Sequence, residues 1–217
     1  MVNKPNNIER TSMTDEEQII NKIRVVIDKP DGELTDEDLA SVKTYHFDGK
    51  IRETIDGEPE DLPIGLENRG LKDLSFFKRL PNLEQVNFEM NEITSDQLEN
   101  LSGCKKLNYL SLETNQITDL TPLSGLTRLQ TLFLGNNKII DLKPLVGLSN
   151  LESLGLNDNI IADLTPLHEL KDFEGEIYLD GNPHLTESQL KDLQKAVPGA
   201  YIEHEFIEYE EEEEVDE

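Results

Sequence analysis

The sequence predicts an α/β solenoid. We expect a curved, right-handed coil with a parallel sheet on its concave face, turns and 3₁₀ segments on its convex face, and helical caps at the ends. Three observations support this fold class. A leucine pattern recurs with a 22-residue period, helix signals flank the repeats, and 35% of the 217 residues are hydrophobic, enough to bury a continuous core.

The repeat follows the pattern LxxLxLxxNxIxDLxPLxxL, and three nearly identical units open at Leu107, Leu129 and Leu151. Alternate residues of a short strand point the same way, so the LxL pair faces the core, and the later Ile and Leu residues return along the convex side to fill it. One unit buries too little to be stable, but stacked units pair their strands in parallel. This is the pattern of leucine-rich repeats.

Less regular units extend the array in both directions. A 24-residue unit opens at Leu83, and an earlier one contains Ile64. Residues 42–47 resemble a still earlier, degenerate unit, and residues 177–182 form the last one, after one inserted residue near Phe173. If every unit pairs, the sheet has about seven strands.

One asparagine recurs in each unit after the strand. Its amide can satisfy backbone groups of adjoining turns that the coil would otherwise bury without partners. We therefore interpret these residues as a structural ladder and not as a binding site: Asn91, Asn115, Asn137, Asn159 and Asn182. The proline near the end of the pattern suits a turn or a short 3₁₀ segment, where a missing amide hydrogen does little harm.

Both flanks of the array carry helix signals. Thr14 with Glu17, and Thr186 with Gln189, form capping-box patterns ahead of apolar residues at helical spacing. A solenoid needs such caps because its ends would expose core. The predicted division is a disordered N-terminus (1–13), an N-terminal helical cap (14–41), the leucine-rich repeats (42–185), a C-terminal cap (186–207) and a disordered acidic tail (208–217).

Charge limits the possible partners. Acidic residues outnumber basic ones 46 to 20, for a net charge of -26, so nucleic acid and anionic membrane would be repelled. A basic protein would be attracted. The acidic tail has two interpretations, a contact for a basic partner or a solubilising end.

The concave face is the predicted binding surface, because strand residues that alternate with the inward leucines point there. Aromatic anchors tend to dominate interface energies, and a ladder of carboxylates would select a basic protein or peptide. The partner-binding residues predicted on this basis are Tyr109, Phe133, Tyr178, Asn87, Glu67, Glu89, Glu113, Asn157 and Asp180. The alternative is an ordinary surface on an acidic chain.

Catalytic and metal chemistry have little support. His46 and Asp48 share one strand with no nucleophile placed beside them, and no histidine pair has metal-ligand spacing. We expect the single cysteine, Cys104, to be a small, semi-buried filler, and it excludes an internal disulfide. No phosphate-binding glycine loop appears. The predictions are therefore no catalytic residues, no metal site and no cofactor.

At this point the chain resembles a known family. The stretch TDLTPLSGLTRLQTLFLGNNKIIDLKPLVGLSNLESLGLNDN is similar to the 22-residue repeats of bacterial internalin-type proteins, and LTDEDLASVKTYHFDGK is similar to the cap that precedes such repeats. The resemblance covers roughly residues 14 to 200. It implies a curved solenoid that binds a protein on its concave face. The immunoglobulin-like domain and wall anchor that usually follow internalin repeats are not seen in this sequence.

The predicted function is a non-enzymatic protein–protein interaction module that binds a basic protein or peptide as a monomer. The first residues lack the apolar run of a secretory signal, which favours the cytoplasm. Two alternatives stay open: an exported, internalin-like adhesin or effector, and a calcium-modulated scaffold.

Overall fold

A computed structural model describes residues 13–43, 64–65 and 70–205. It confirms the predicted α/β solenoid: seven short strands pair in parallel, in chain order, along one sheet. The strands are β1 (Ile64–Gly65), β2 (Gln85–Asn87), β3 (Tyr109–Ser111), β4 (Thr131–Phe133), β5 (Ser153–Gly155), β6 (Glu176–Tyr178) and β7 (Tyr201–Glu203). Six of these belong to repeats, and β7 follows the last repeat.

The core is one continuous column of leucine and isoleucine. The central residues of successive strands are in register, for example Leu110 with Leu132 and Leu132 with Leu154, and all three are completely buried. Their neighbours along the strand point away from the core, because side chains of a strand alternate between its two faces. This register fixes which residues share the outer face of the sheet.

Short 3₁₀ helices form the convex side, at Ser75–Arg79, Ser95–Leu101, Thr121–Leu123, Lys143–Leu145 and Thr165–Glu169. An aspartate lies two residues before the start of several of these segments. Asp119 Oδ1, for instance, accepts hydrogen bonds from the backbone N and the hydroxyl of Thr121, at 2.8 and 2.6 Å. The 24-residue unit has the longest segment, Ser95–Leu101, so its extra length is accommodated on the convex side and the strand register is kept.

The repeated asparagines connect neighbouring turns of the coil. Asn137 Oδ1 accepts a hydrogen bond from the Ile117 backbone N at 2.9 Å. Its Nδ2 donates to the carbonyl oxygens of Leu112, Leu134 and Gly135 at 2.9 to 3.1 Å. Equivalent bonds hold the other four asparagines, and all five are buried. Each amide thereby pairs backbone groups that the core would otherwise leave unsatisfied.

Two helices precede the repeats, α1 (Asp15–Val26) and α2 (Asp36–Ser41), and each begins with a capping box, at Thr14 and Thr35. The α1 helix buries Ile19 and Ile23 in the common core. At its start, Asp15 Oδ2 accepts hydrogen bonds from the backbone N atoms of Lys72 and Asp73, both at 2.8 Å. Apolar packing and backbone hydrogen bonding therefore attach this helix to the array. No helix within the described ranges has the length and apolar character to cross a membrane.

The chain after α2 meets the sheet differently from the sequence prediction. The carbonyl oxygen of Lys43 accepts hydrogen bonds from the backbone N atoms of Glu84 and Gln85, at 2.7 and 3.4 Å. Since β1 pairs with the same strand β2, residues 42–43 do not lie one repeat beyond β1, as a separate degenerate unit at 42–47 would require. Residues 44–47 of that predicted unit lie outside the described part, as do residues 1–12 and 206–217.

At the other end, α3 (Glu187–Ala196) begins with a capping box in which Thr186 and Gln189 hydrogen-bond reciprocally. Leu190, Leu193 and Val197 are completely buried, and α3 packs beside the convex segment Thr165–Glu169. Strand β7 then continues the sheet, with Ile202 buried and in register with Ile177. The predicted C-terminal cap (186–207) therefore contains a further parallel strand as well as a helix, and residues 206–207 of that cap lie outside the described residues.

Candidate protein-binding face

The sheet face opposite the core is the concave face of the solenoid, and the register arranges its side chains in three columns. The first column contains Gln85, Tyr109, Thr131, Ser153, Glu176 and Tyr201; the middle column contains Asn87, Ser111, Phe133, Gly155, Tyr178 and Glu203. The third column follows the strands and contains Glu89, Glu113, Gly135, Asn157 and Asp180. The predicted partner-binding residue Glu67 lies outside the described residues.

Two of the three predicted aromatic anchors are in contact. The rings of Tyr109 and Phe133 meet edge to face, with centroids 6.0 Å apart and planes at 84°. Both side chains are half-buried on the open face. A Cβ atom at Gly155 would lie 2.8 Å from Phe133 Cδ1, so the glycine leaves room for the ring beside β5. The sequence places a small residue beside an aromatic one, and the structure shows that the ring uses that space.

Ser111 lies at the centre of this region. On the outer face of β3 it stands between Tyr109 and Glu113, and in the middle column it stands between Asn87 and Phe133. Only 1% of the residue is exposed, and its Oγ has no hydrogen-bond partner among the described residues. A buried hydroxyl without a partner is uncommon in folded proteins. This residue was not among the sequence-predicted site residues, because a serine at a variable strand position carries no distinguishing pattern.

Two carboxylates flank the same region. Glu89 and Glu113 are neighbours in the third column, since the backbone N of Met90 donates to the carbonyl oxygen of Glu113 at 3.0 Å. Partial burial, and then the neighbouring charge of Glu89, raise the pKa of Glu113 above its usual value. Burial, followed by the two carboxylates, also raises the pKa of Tyr109. Two carboxylates therefore lie close enough to the aromatic pair to act on it electrostatically.

Tyr178 does not join this pair, because it lies two strands farther along the sheet. Its hydroxyl donates a hydrogen bond to Glu176 Oε2 at 2.6 Å. This bond, helped by the nearby carboxylate charge, raises the pKa of Tyr178 to about 12. Glu203 of β7 lies beside Tyr178 in the register, so this end of the concave face forms a second acidic region. Glu176 and Glu203 were not predicted, since they belong to the least regular part of the pattern.

The other predicted residues have more local roles. Asn87 Oδ1 accepts a hydrogen bond from the Glu89 backbone N at 2.8 Å. The Asn157 side chain leans over Gly135, where a Cβ would lie 2.6 Å from its Oδ1. Because Gly135 and Asn157 separate Glu113 from Asp180, the described part of the predicted acidic ladder has one adjacent pair, Glu89 with Glu113, and one distant member, Asp180.

Other reactive side chains lie away from this face. Cys104 is buried, its Sγ lies 3.6 Å from the carbonyl oxygens of both Phe77 and Leu80, and burial raises the pKa of its thiol to about 11. His168 lies in a convex 3₁₀ segment, and His184 follows the last repeat. Within the described residues, no group of three or more His, Cys, Asp or Glu side chains is arranged to hold a metal ion.

Comparison with known proteins agrees with this architecture. Residues 127–168 match the family model for leucine-rich repeats in two copies. The chain carries leucine-rich repeats and has the leucine-rich-repeat fold. Among solved structures it is similar to an internalin of Listeria monocytogenes, with a TM-score of 0.56 and 22% identity, over 90% of this chain and 59% of that one. At this identity the likeness concerns the fold alone.

Two further relatives match over shorter stretches. A leucine-rich-repeat protein of Leptospira interrogans has a TM-score of 0.53 and 26% identity, over 58% of this chain and 32% of that one. A histone of Tetrahymena thermophila is 29% identical over 112 residues, which are 49% of this chain and 29% of the histone. The chain thus spans less than a third of the length of either protein.

Proposed function

We propose that this protein is a non-enzymatic interaction module that binds a basic protein or peptide on its concave face. The observation that carries the proposal is the contact between Tyr109 and Phe133, two half-buried rings on an open sheet face beside two carboxylates. Aromatic side chains contribute large contact areas at little conformational cost, and leucine-rich-repeat solenoids offer extended concave surfaces for binding. Acidic neighbours favour a partner of opposite charge.

Affinity capture from a cell extract tests this proposal. The bait proteins are the unchanged chain, the double variant Tyr109→Ala with Phe133→Ala, and Ile140→Ala as a control, because Ile140 is 58% exposed and lies outside the strands. We expect the double variant to lose at least about 2 kcal/mol of binding free energy for a captured protein, roughly a thirtyfold loss of affinity. The control should bind as the unchanged protein does.

Two results would contradict binding on the concave face. In one, a captured protein binds the double variant as tightly as it binds the unchanged chain. In the other, a captured protein is not bound by the Ile140→Ala control. Circular dichroism of each bait excludes unfolding as the cause of a loss of binding.

We also propose a cytoplasmic location and a monomeric state. Recovery of the protein mainly from culture supernatant would contradict the first, and a light-scattering mass of twice the chain mass would contradict the second.

A further inference from the structure

One group of aromatic, hydroxyl and carboxylate side chains lies together on the concave face, and we call it the Ser111 site. It consists of Ser111, the rings of Tyr109 and Phe133, and the carboxylates of Glu89 and Glu113. Resting on the function proposed above, we propose that this site binds the guanidinium group of an arginine side chain from the partner.

The first argument is electrostatic. Neither Glu89 nor Glu113 forms an ion pair with a lysine or arginine among the described residues, although they are neighbours across one strand spacing of roughly 4.8 Å. Like charges at this spacing repel each other. A cation between them would offset that repulsion with two attractive interactions. The direction agrees with the pKa of Glu113, which partial burial and then the charge of Glu89 raise.

The second argument is geometric and separates guanidinium from ammonium. A guanidinium is planar, weakly hydrated and able to stack on aromatic rings, whereas an ammonium is a compact, strongly hydrated charge. The rings of Tyr109 and Phe133 meet edge to face on the same part of the sheet as the carboxylates, so aromatic surface lies near both charges. Five N–H donors let one guanidinium bind both carboxylates in a fork geometry.

The third argument comes from Ser111. Only 1% of Ser111 is exposed, and its hydroxyl has no hydrogen-bond partner among the described residues. The residue lies on the outer face of the sheet, between Tyr109 and Glu113. An unpaired buried hydroxyl costs free energy that a bound donor would recover. A guanidinium N–H reaching between the rings could supply that donor, after a small rotation of either ring.

Residue-resolved NMR tests the proposal with three small probes: N-acetylarginine methylamide, its uncharged citrulline counterpart and its lysine counterpart. We expect the arginine probe to shift the signals of Tyr109, Ser111 and Phe133 and to lower the pKa of Glu113. The variant Glu89→Gln with Glu113→Gln should weaken this binding about tenfold. The control variant Glu99→Gln with Glu169→Gln removes two exposed carboxylates from convex 3₁₀ segments and should leave it unchanged.

Three results would overturn the assignment: equal shifts with citrulline, equal binding of the lysine probe, or shifts spread over the acidic surface without a focus at the Ser111 site. These outcomes are separable from the proposed function. A partner protein whose affinity falls with Phe133→Ala but is unaffected by Glu89→Gln and Glu113→Gln would keep the concave face as the binding surface and refute the guanidinium site.

Discussion

At the scale of single residues, the repeated asparagine shows how one side chain connects neighbouring turns of the coil. Asn137 forms one hydrogen bond to a backbone N of the preceding turn and three to carbonyl oxygens, all in the interior. A hydrophobic residue could fill the same volume but could not pair these groups. The consensus asparagine is therefore explained by hydrogen bonding, and its side chain is not available to a partner.

Replacing this side chain gives a prediction. Asn137→Ala should lower the free energy of unfolding by about 2–4 kcal/mol, because buried backbone groups lose their partners. Denaturant unfolding followed by circular dichroism measures the change. The matched control is Asn136→Gly at the adjacent, exposed position, whose φ of 52° a glycine adopts readily. We expect that control to change stability by less than about 0.5 kcal/mol, and an equal loss in both variants would refute the explanation.

The same residues show what the sequence predicts well. The 22-residue period identifies the inward leucines and the asparagine ladder, because each repeats a contact with an identical neighbour. The unpartnered hydroxyl of Ser111 and the contact of Tyr109 with Phe133 are different, since they depend on residues that occur once. Position on the concave face can be predicted from alternation, but side-chain contacts across strands require the actual register and rotamers.

At the scale of elements, the irregular repeats explain how the sheet keeps its register. The long unit places its extra residues in the Ser95–Leu101 segment, whereas the unit before β6 has an insertion next to the strand itself. There Gly175 approaches the preceding turn so closely that a Cβ would lie 1.7 Å from the Glu152 carbonyl oxygen. The adjacent hydrogen bond, from the Glu176 backbone N to that oxygen, is 2.9 Å long.

This contact predicts a strong sensitivity to one methyl group. Gly175→Ala should destabilise the protein by about 3 kcal/mol, because backbone atoms on both sides must separate. The control, Gly103→Ala, has no atom within 4 Å of the added Cβ and should be neutral or stabilising by up to about 1 kcal/mol. Thermal unfolding of both variants measures the difference. Equal stability of the two would show that β6 does not pack as described.

The ends of the array show the limits of prediction for elements. Capping-box patterns at Thr14 and Thr186 correspond to helices that begin at Asp15 and Glu187, because such caps are encoded within four residues. The degenerate unit at 42–47 was predicted from distant similarity to the repeat. Lys43 contacts β2 as Glu84 contacts β3, but β1 also pairs with β2, so residues 42–43 and β1 do not belong to two separate repeats. A weak repeat pattern indicates which positions are apolar, but it does not predict which strand those residues contact.

At the scale of the whole molecule, charge and shape act together. A chain of net charge -26 repels other acidic surfaces and attracts basic ones over several ångströms, with a strength that falls as salt is added. Long-range attraction of this kind is not specific. The Tyr109–Phe133 pair adds a defined contact at one place on the concave face, so specificity is expected to come from this pair and its flanking carboxylates.

Site-specific photo-crosslinking shows whether a partner binds beside the Tyr109–Phe133 pair. The photoreactive analogue p-benzoylphenylalanine is introduced in place of Phe133, and separately in place of the exposed Ile140 as a reference position. We expect the analogue at position 133 to crosslink to a basic protein and the analogue at position 140 not to do so. Crosslinking of the same protein from position 140 alone would contradict binding on the concave face.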